Sequence, residues 1–416
     1  MNNKRENVLA FVFLLFVIIF GKIIIPDTKI YLRLLIGVSI GYILTRTAYG
    51  FAGSVNRAYR AGSTKLMRSL MFFFVIVSFI SAGIFFFGVP EGFKLAVRPI
   101  NGGLMVGAVL FGIGMAFNSC CASGTLTDIV TEFPKGILTL IFFSMGIFLA
   151  FPLQNKSEFV TKSWITSGDN KGVYLPDLFK NDGLNGFLGA LLVTIILAVI
   201  VSYLAKKYEE KRKREGTYSA LGDEVEQEKP VAELSDNVKL LSDEVYYRYF
   251  RRPWTMTEGV FAFSIVIAIM MLTTNSGWGV TSALGHLFGR VLYLFGMEAS
   301  KLEAYTGVEA AKFTASILES GGRMQNLGIV LGTILMMLFS GNLATGFKSG
   351  LKISGREAIM YVLGGLAMGV GTRLSNGCNA GALLTPISQF SLSGWVFLIF
   401  MVTGGFIGNK LRDQIV

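Results

Sequence analysis

The sequence predicts an all-α integral membrane protein, with roughly nine or ten transmembrane helices plus short or re-entrant ones, built as two inverted-topology repeats. Three observations predict it. Apolar residues make up 52% of the 416 and charged residues only 16%, with a mean hydropathy of +0.57, which is membrane rather than soluble composition. The apolar residues gather in blocks near the length of about 20 that crosses a bilayer. One pattern, Gly-x4-Gly-x-Gly-x6-Cys-x2-Gly, occurs at Gly107, Gly112, Gly114, Cys121 and Gly124 and again 257 residues later at Gly364, Gly369, Gly371, Cys378 and Gly381.

The apolar blocks follow in order. Val8–Ile25 comes after Lys4 and Arg5 as a signal peptide would, but no small-residue cleavage site stands out and Lys22 interrupts its far end, so it reads as a retained first span. Tyr31–Leu44, Leu70–Val89, Leu104–Cys121, Ile137–Leu153 and Leu184–Leu204 complete an N-terminal membrane half, residues 1–205. Val260–Leu272, Leu327–Leu343, Ile359–Leu374 and Trp395–Ile407 supply a C-terminal half, residues 256–416. Ser282–Phe295, with Arg290 and the single histidine His286, reads as an interfacial helix. One histidine makes no metal site alone, and packing or interface placement is the reading.

Residues 206–255 divide the halves. The run opens on Lys206, Lys207, Lys211, Arg212, Lys213 and Arg214, turns acidic through Asp223, Glu224, Glu226 and Glu228, and closes on Arg248, Arg251 and Arg252. Mixed charge without a hydrophobic period predicts a solvated cytoplasmic linker, with a short helix around 234–249; an ordered docking helix for a cytosolic partner is the second reading. The net charge of +11 lies mostly in short connections between apolar blocks, so it reports orientation and not nucleic-acid binding. Basic connections at Lys4 and Arg5, at 46–68, in the linker, at 344–357 and at Lys410 and Arg412 place both termini in the cytoplasm, with 154–183 and 297–323 on the opposite side.

That orientation gives each copy of the motif a direction. One block, Leu70–Val89, leads outward from the basic loop 46–68 before the first copy, whereas the second copy follows the basic loop 344–357 directly. Equal sequences threaded in opposite senses make an inverted repeat, whose substrate site lies near the midplane where discontinuous helices meet.

All three cysteines, Cys120, Cys121 and Cys378, fall inside the two copies. Adjacent cysteines make a strained bridge, so free thiols are expected. Inside each copy small polar residues flank the cysteine, Asn118, Ser119 and Ser123 in the first and Ser375, Asn376 and Asn379 in the second; polar side chains at membrane depth pair or line a wet cavity. A soft, polarizable sulfur suits a soft anion, while a Cu(I) or Zn site wants more converging ligands than the chain offers. Arg373, two residues after Gly371 in an apolar segment, costs about 2.5–3.5 kcal/mol on insertion scales unless partnered or snorkelling. It either reaches the outer interface or forms an anion site beside the thiol, with Asp128 as the carboxylate available across the pseudo-two-fold axis. A lone cysteine or glycine row is ordinarily helix packing; it is the joint recurrence of cysteine, polar neighbours and five glycines that argues for a site.

At these residues the chain resembles the YeeE/YedE-type membrane proteins, the sulfur-transport domain family. The resemblance is carried by Gly369-Val-Gly-Thr-Arg-Leu-Ser-Asn-Gly-Cys-Asn-Ala-Gly381 with Gln389-Phe-Ser-Leu-Ser-Gly-Trp395, by Gly102–Gly124, and by Gly50-Phe-Ala-Gly-Ser-Val-Asn-Arg-Ala-Tyr59. It fades in 154–183 and 206–255. It implies an hourglass-shaped importer of thiosulfate in which Cys121 and Cys378 are relay thiols that pass the anion by S–H hydrogen bonds. Thiosulfate importers of the family carry a further cysteine where this chain has Phe51-Ala52-Gly53; Cys120 either substitutes for it or fills a glycine position. Some relatives work with a small soluble sulfur-carrier protein, which here would act in trans.

The combined expectation is a multi-pass transporter of the cell inner membrane that imports a small sulfur-containing anion, is not an enzyme, and needs no cofactor or resident metal. Its substrate-binding residues are Cys121, Cys378, Cys120, Arg373, Asn376, Asn379, Asn118, Ser119, Gly124 and Gly381. Two rival readings are a membrane-bound sulfur or selenium transferase holding persulfide on Cys120 or Cys121, and a soft-metal exporter. No Walker motif is present, which argues against ATP hydrolysis in this chain. No acidic proton relay stands out at motif depth, which favours a channel-like or gradient-driven route.

Overall fold

A computed structural model describes residues 2–231 and 242–415. Its first seven helices are α1 (Asn2–Ile24), α2 (Thr28–Arg46), α3 (Phe51–Ala61), α4 (Lys65–Phe85), α5 (Gly102–Asn118), α6 (Ala122–Thr131) and α7 (Phe133–Lys156). α8 (Phe187–Arg214) and a short α9 (Gly222–Gln227) precede α10 (Met256–Thr274), α11 (Thr281–Leu294), α12 (Gly321–Ser340) and α13 (Gly355–Leu374). α14 is a π-helical stretch, Asn379–Leu384, continued as Thr385–Ser388, and α15 is Ser393–Ile415. Among the described residues ten helical segments are long and apolar enough to span a membrane. The protein is all-α and multi-pass.

Capping sets several starts. Asp27 accepts from the Ile30 N–H at 2.9 Å to begin α2, and capping boxes, Thr255 with Glu258 and Ser354 with Glu357, begin α10 and α13. Each supplies acceptors to first-turn N–H groups that have no partner inside the helix.

Packing repeats with the two halves exchanged. α5 packs on α15 as α13 packs on α7; α2 on α12 as α10 on α4; α4 on α8 as α12 on α1; α6 on α12 as α14 on α4; α3 on α15 as α11 on α7. Thus α1 to α7 correspond to α8, α10, α11, α12, α13, α14 and α15, and α9 has no counterpart. Each set contains five spans. An odd number of crossings starts the second set from the opposite side, which inverts the repeat.

The motif glycines lie where α5 crosses α13. A Cβ on Gly107 would stand 2.7 Å from the Gly371 carbonyl oxygen, and one on Gly371 would stand 2.7 Å from the Gly107 oxygen; a Cβ on Gly114 would meet the Gly364 oxygen at 2.5 Å. Backbone meets backbone there, which only glycine permits. Beyond the crossing each helix breaks at the same repeat position, Ser119 with φ 55° and Asn376 with φ 58°. A left-handed residue ends a helix and redirects the chain. It sends it into α6 or α14, each begun by a motif cysteine, Cys121 or Cys378.

Among these elements the structure differs from the sequence reading at two places. α8 continues to Arg214, so the basic start of the 206–255 segment is helix, and Glu209, Glu224 and Gln227 are buried in protein contacts instead of solvated. The helix expected around 234–249 lies partly outside the described residues; its described part forms Asp243–Tyr246 and a π-turn, Tyr247–Arg251. The segment with His286 is not interfacial: α11 packs on α7, with the His286 ring stacked on Phe151 at 5.6 Å.

Candidate functional site

Four helices that stop short of a full span, α3, α6, α11 and α14, point their N-termini inward. They line two cavities on opposite sides of the molecule. The cavity on the side of α9, the linker face, has about 560 Å³ and is lined by Gly50 and Gly53 of α3, by Ser119, Cys120, Cys121, Ser123 and Gly124 around the start of α6, and by Leu221 and Asp223 beside α9. The cavity on the other side, the loop face, has about 360 Å³; Trp278 to Ser282 at the start of α11, and Asn376, Gly377 and Gly381 around the start of α14, line it. First-turn N–H groups without intrahelical partners, backed by the helix dipole, favour negative charge at all four ends.

A pair of buried aromatic rings links an element of each cavity. Phe51 opens α3 and Trp278 precedes α11; each is 1% exposed, and their ring centroids are 6.0 Å apart. Trp278 also meets Phe263 edge-on at 5.3 Å. Its carbonyl accepts from Thr385 at 2.9 Å, while its buried Nε1–H finds no acceptor among the described residues.

All three cysteines are free and buried. Cys121 Sγ lies 3.3 Å from Ser123 Oγ and Cys120 Sγ 3.4 Å from Thr125 Oγ1. Cys378 is 2% exposed and lines neither cavity, although Asn376, Gly377 and Gly381 beside it line the loop-face one.

Arg373 is 1% exposed, so it does not reach an interface. Its Nη1 donates to Gln154 Oε1 at 3.0 Å and Ser282 Oγ at 3.1 Å, its Nη2 to Thr281 Oγ1, and the guanidinium lies over Phe151 at 5.3 Å. The expected pairing with Asp128 does not form. Asp128 lies at the opposite cavity and is held 2.9 Å from Lys135, which also reaches Glu132 at 2.6 Å. α7 begins so soon after α6 that Lys135 meets Asp128 first. Among the described residues only neutral oxygens meet the Arg373 charge.

The remaining predicted residues divide by role. Asn376 borders the loop-face cavity and accepts from Gln154 Nε2 at 3.0 Å, which joins it to Arg373. Asn379 Nδ2 touches Met115 Sδ at 3.2 Å, and its buried Oδ1 has no donor among the described residues. Ser119 accepts from Arg412 at 2.6 Å at the linker-face cavity. Asn118 lines neither cavity; it ties α5 to the Tyr361 carbonyl at 3.2 Å and to Thr139 at 3.1 Å. Gly124 and Gly381 line opposite cavities.

Sequence reasoning missed Trp278, Gln154 and Arg98. Trp278 follows Phe51 by 227 residues, not 257, because the segment between α11 and α12 has no equal in the first half. The glycines on both sides of Trp278, like those around Phe51, are the signal that could have found it. Arg98 borders the loop-face cavity with Lys94 and Lys312; burial draws its guanidinium down from its ordinary value, and an arginine so placed still carries its charge.

The Sulphur transport family model matches residues 46–407. The protein called Probable transporter YedE of Salmonella typhimurium is 27% identical over 169 residues, 39% of this chain and 40% of that one. Its Escherichia coli namesake is 30% identical over 157 residues, 38% and 37% of the two chains. These two matches span about two fifths of each relative's length. The Thiosulfate transporter TsuA of Spirochaeta thermophila is 21% identical over 318 residues, 74% of this chain and 77% of that one.

Proposed function

The chain belongs to the sulphur transport family, and from that premise we propose that it imports a small sulfur-containing anion, thiosulfate or a close analogue, across the cell inner membrane. The positive-inside rule puts the linker face and both termini in the cytoplasm and the loop face outside. One observation carries the reading: Cys121 and Cys378 hold the same repeat position and each begins a broken helix, and the starts of those two helices line cavities on opposite sides of the molecule, with Cys121 itself in the linker-face lining. The TsuA relative is named for thiosulfate, which agrees with this chemistry.

The anion enters at Lys94, Arg98 and Lys312 and meets Arg373, whose charge lacks a carboxylate partner. It then passes the N-terminus of α14, Cys378, the aromatic pair and Cys121. A thiol donates a weak S–H bond and offers a polarizable sulfur, so it holds a soft anion loosely enough to release it. The Trp278 Nε1–H is a further donor along the way. No bond to sulfur forms, so no persulfide remains on the protein, and a sulfur-carrier protein would take the product in trans.

Uptake of labelled thiosulfate into proteoliposomes tests this. Cys121→Ala and Cys378→Ala are each expected to lower it about tenfold or more, since each removes a buried donor. Wild-type rates in both variants would sink the relay, and a persulfide-bearing cysteine in the purified protein would favour a transferase.

A further inference from the structure

Chain that belongs to neither repeat forms part of the wall of the linker-face cavity. After α8 the backbone turns back: Arg212 donates to the Tyr59 carbonyl at 2.7 Å and the Thr217 carbonyl at 2.9 Å, and the Ser219 N–H donates to the Ala61 carbonyl at 2.9 Å. Leu221 and Asp223 then line the cavity beside Cys120 and Cys121. Glu224 is 2% exposed, with Oε1 3.3 Å from Arg57 Nη1 and Oε2 accepting from Ser63 Oγ at 2.6 Å. Gln227 Nε2 donates to the Thr47 carbonyl at 2.6 Å, and Lys65 pairs with Glu228 at 2.6 Å.

A buried carboxylate is costly unless it is paired and hydrogen-bonded. This segment brings few apolar anchors, so the Glu224 contacts hold it down. A guanidinium beside a hydroxyl binds a carboxylate and an oxyanion by the same hydrogen bonds. Arg57 itself lines the cavity. The loop-face cavity, related to this one by the pseudo-two-fold, has no carboxylate in its lining.

We propose that Arg57 and Ser63 form an anion-binding site at the linker-face mouth and that Glu224 occupies it as a tethered carboxylate, so that residues 215–231 shut the path until an oxyanion competes for Arg57. The proposal rests on the transport reading for its purpose, but its geometry stands apart from any substrate.

Modification of Cys120 and Cys121 by a bulky hydrophilic maleimide, followed by mass spectrometry on the purified full-length protein, tests the gate. Glu224→Gln is expected to speed modification about tenfold or more, the factor one charge-assisted hydrogen bond contributes. Glu228→Gln, altering an exposed pair, should change it little. Should Glu224→Gln fail to fold, the charge-swapped pair Arg57→Glu with Glu224→Arg should restore the slow wild-type rate that Arg57→Glu alone loses. Unchanged modification in folded Glu224→Gln, or no rescue by the swap, overturns the gate. Inorganic sulfate, compared with chloride at equal ionic strength, is expected to accelerate the wild type and not Glu224→Gln; a flat wild-type response overturns the anion site. Faster modification of Glu224→Gln in a protein that takes up no thiosulfate would reject the transport reading and leave the gate standing.

Discussion

Arg373 is buried among neutral oxygens with no carboxylate partner among the described residues, and on the proposed function that imbalance marks it as a residue that binds the anion and not as half of an ion pair. Its fork spans Gln154, Ser282 and Thr281, so geometry as well as charge is in use. A lysine keeps the charge but cannot span the same acceptors. Arg373→Lys is therefore expected to raise the KM for uptake about tenfold or more, by loss of charge-assisted hydrogen bonds, and Arg373→Gln to raise it further. Equal KM values in Arg373→Lys and wild type, measured in proteoliposomes, would reduce Arg373 to a packing role. The residue was legible in the sequence because an arginine in an apolar segment demands an explanation. Its partners were not, because Gln154 and Ser282 come from helices whose contact with α13 no local pattern encodes. Asn118 shares the polar signature of the site, but it lines neither cavity and its Nδ2 ties α5 to α13 and α7.

At the scale of elements, the two broken helices depend on the crossing that precedes them. α5 and α13 approach until glycine Cα atoms face carbonyl oxygens, which fixes where each helix stops and where each motif cysteine begins the next. Gly114 and Gly371 hold the same repeat position and face equivalent backbone, Gly364 at 2.5 Å and Gly107 at 2.7 Å. Valine at either would force the helices apart at a cost of about 1–3 kcal/mol, the range of overpacked cores. Gly114→Val and Gly371→Val are thus expected to lower the thermal midpoint in detergent by similar amounts, while valine at Gly83, which has open space around it, should leave the midpoint unchanged. A large effect at one crossing glycine and none at the other would break the two-fold equivalence. The glycine spacing made this crossing legible, and periodic apolar blocks made the spans legible. α3 was not: its basic residues make 46–68 read as a loop, whereas Phe51, Ala52, Val55 and Ala58 bury one face of a helix and Arg57 and Arg60 line the cavity.

Over the whole molecule the fold is nearly symmetric and the charge is not. Among the described residues, the loop-face cavity is lined by Lys94, Arg98, Lys312 and Arg373 without a carboxylate, whereas the linker-face cavity sets Arg57, Arg60 and Lys135 against Asp128, Glu132 and Asp223. A low-dielectric cleft of one sign focuses its field and concentrates counter-ions. The opposite cavity is close to neutral, so an anion that reaches it is held less strongly. On the proposed function, capture on one side and release on the other then follow from side chains laid over a scaffold that would by itself serve both directions equally. Lys94 is exposed and Lys312 half exposed, so their contribution is long-range and screened by salt within about 8–10 Å. Lys94→Glu combined with Lys312→Glu is therefore expected to raise the KM for uptake severalfold with little change in maximal rate. Raising ionic strength from low to physiological should slow wild-type uptake at low substrate and slow the double variant much less. Equal salt sensitivity in both would place capture at Arg373 alone and remove the electrostatic account of direction.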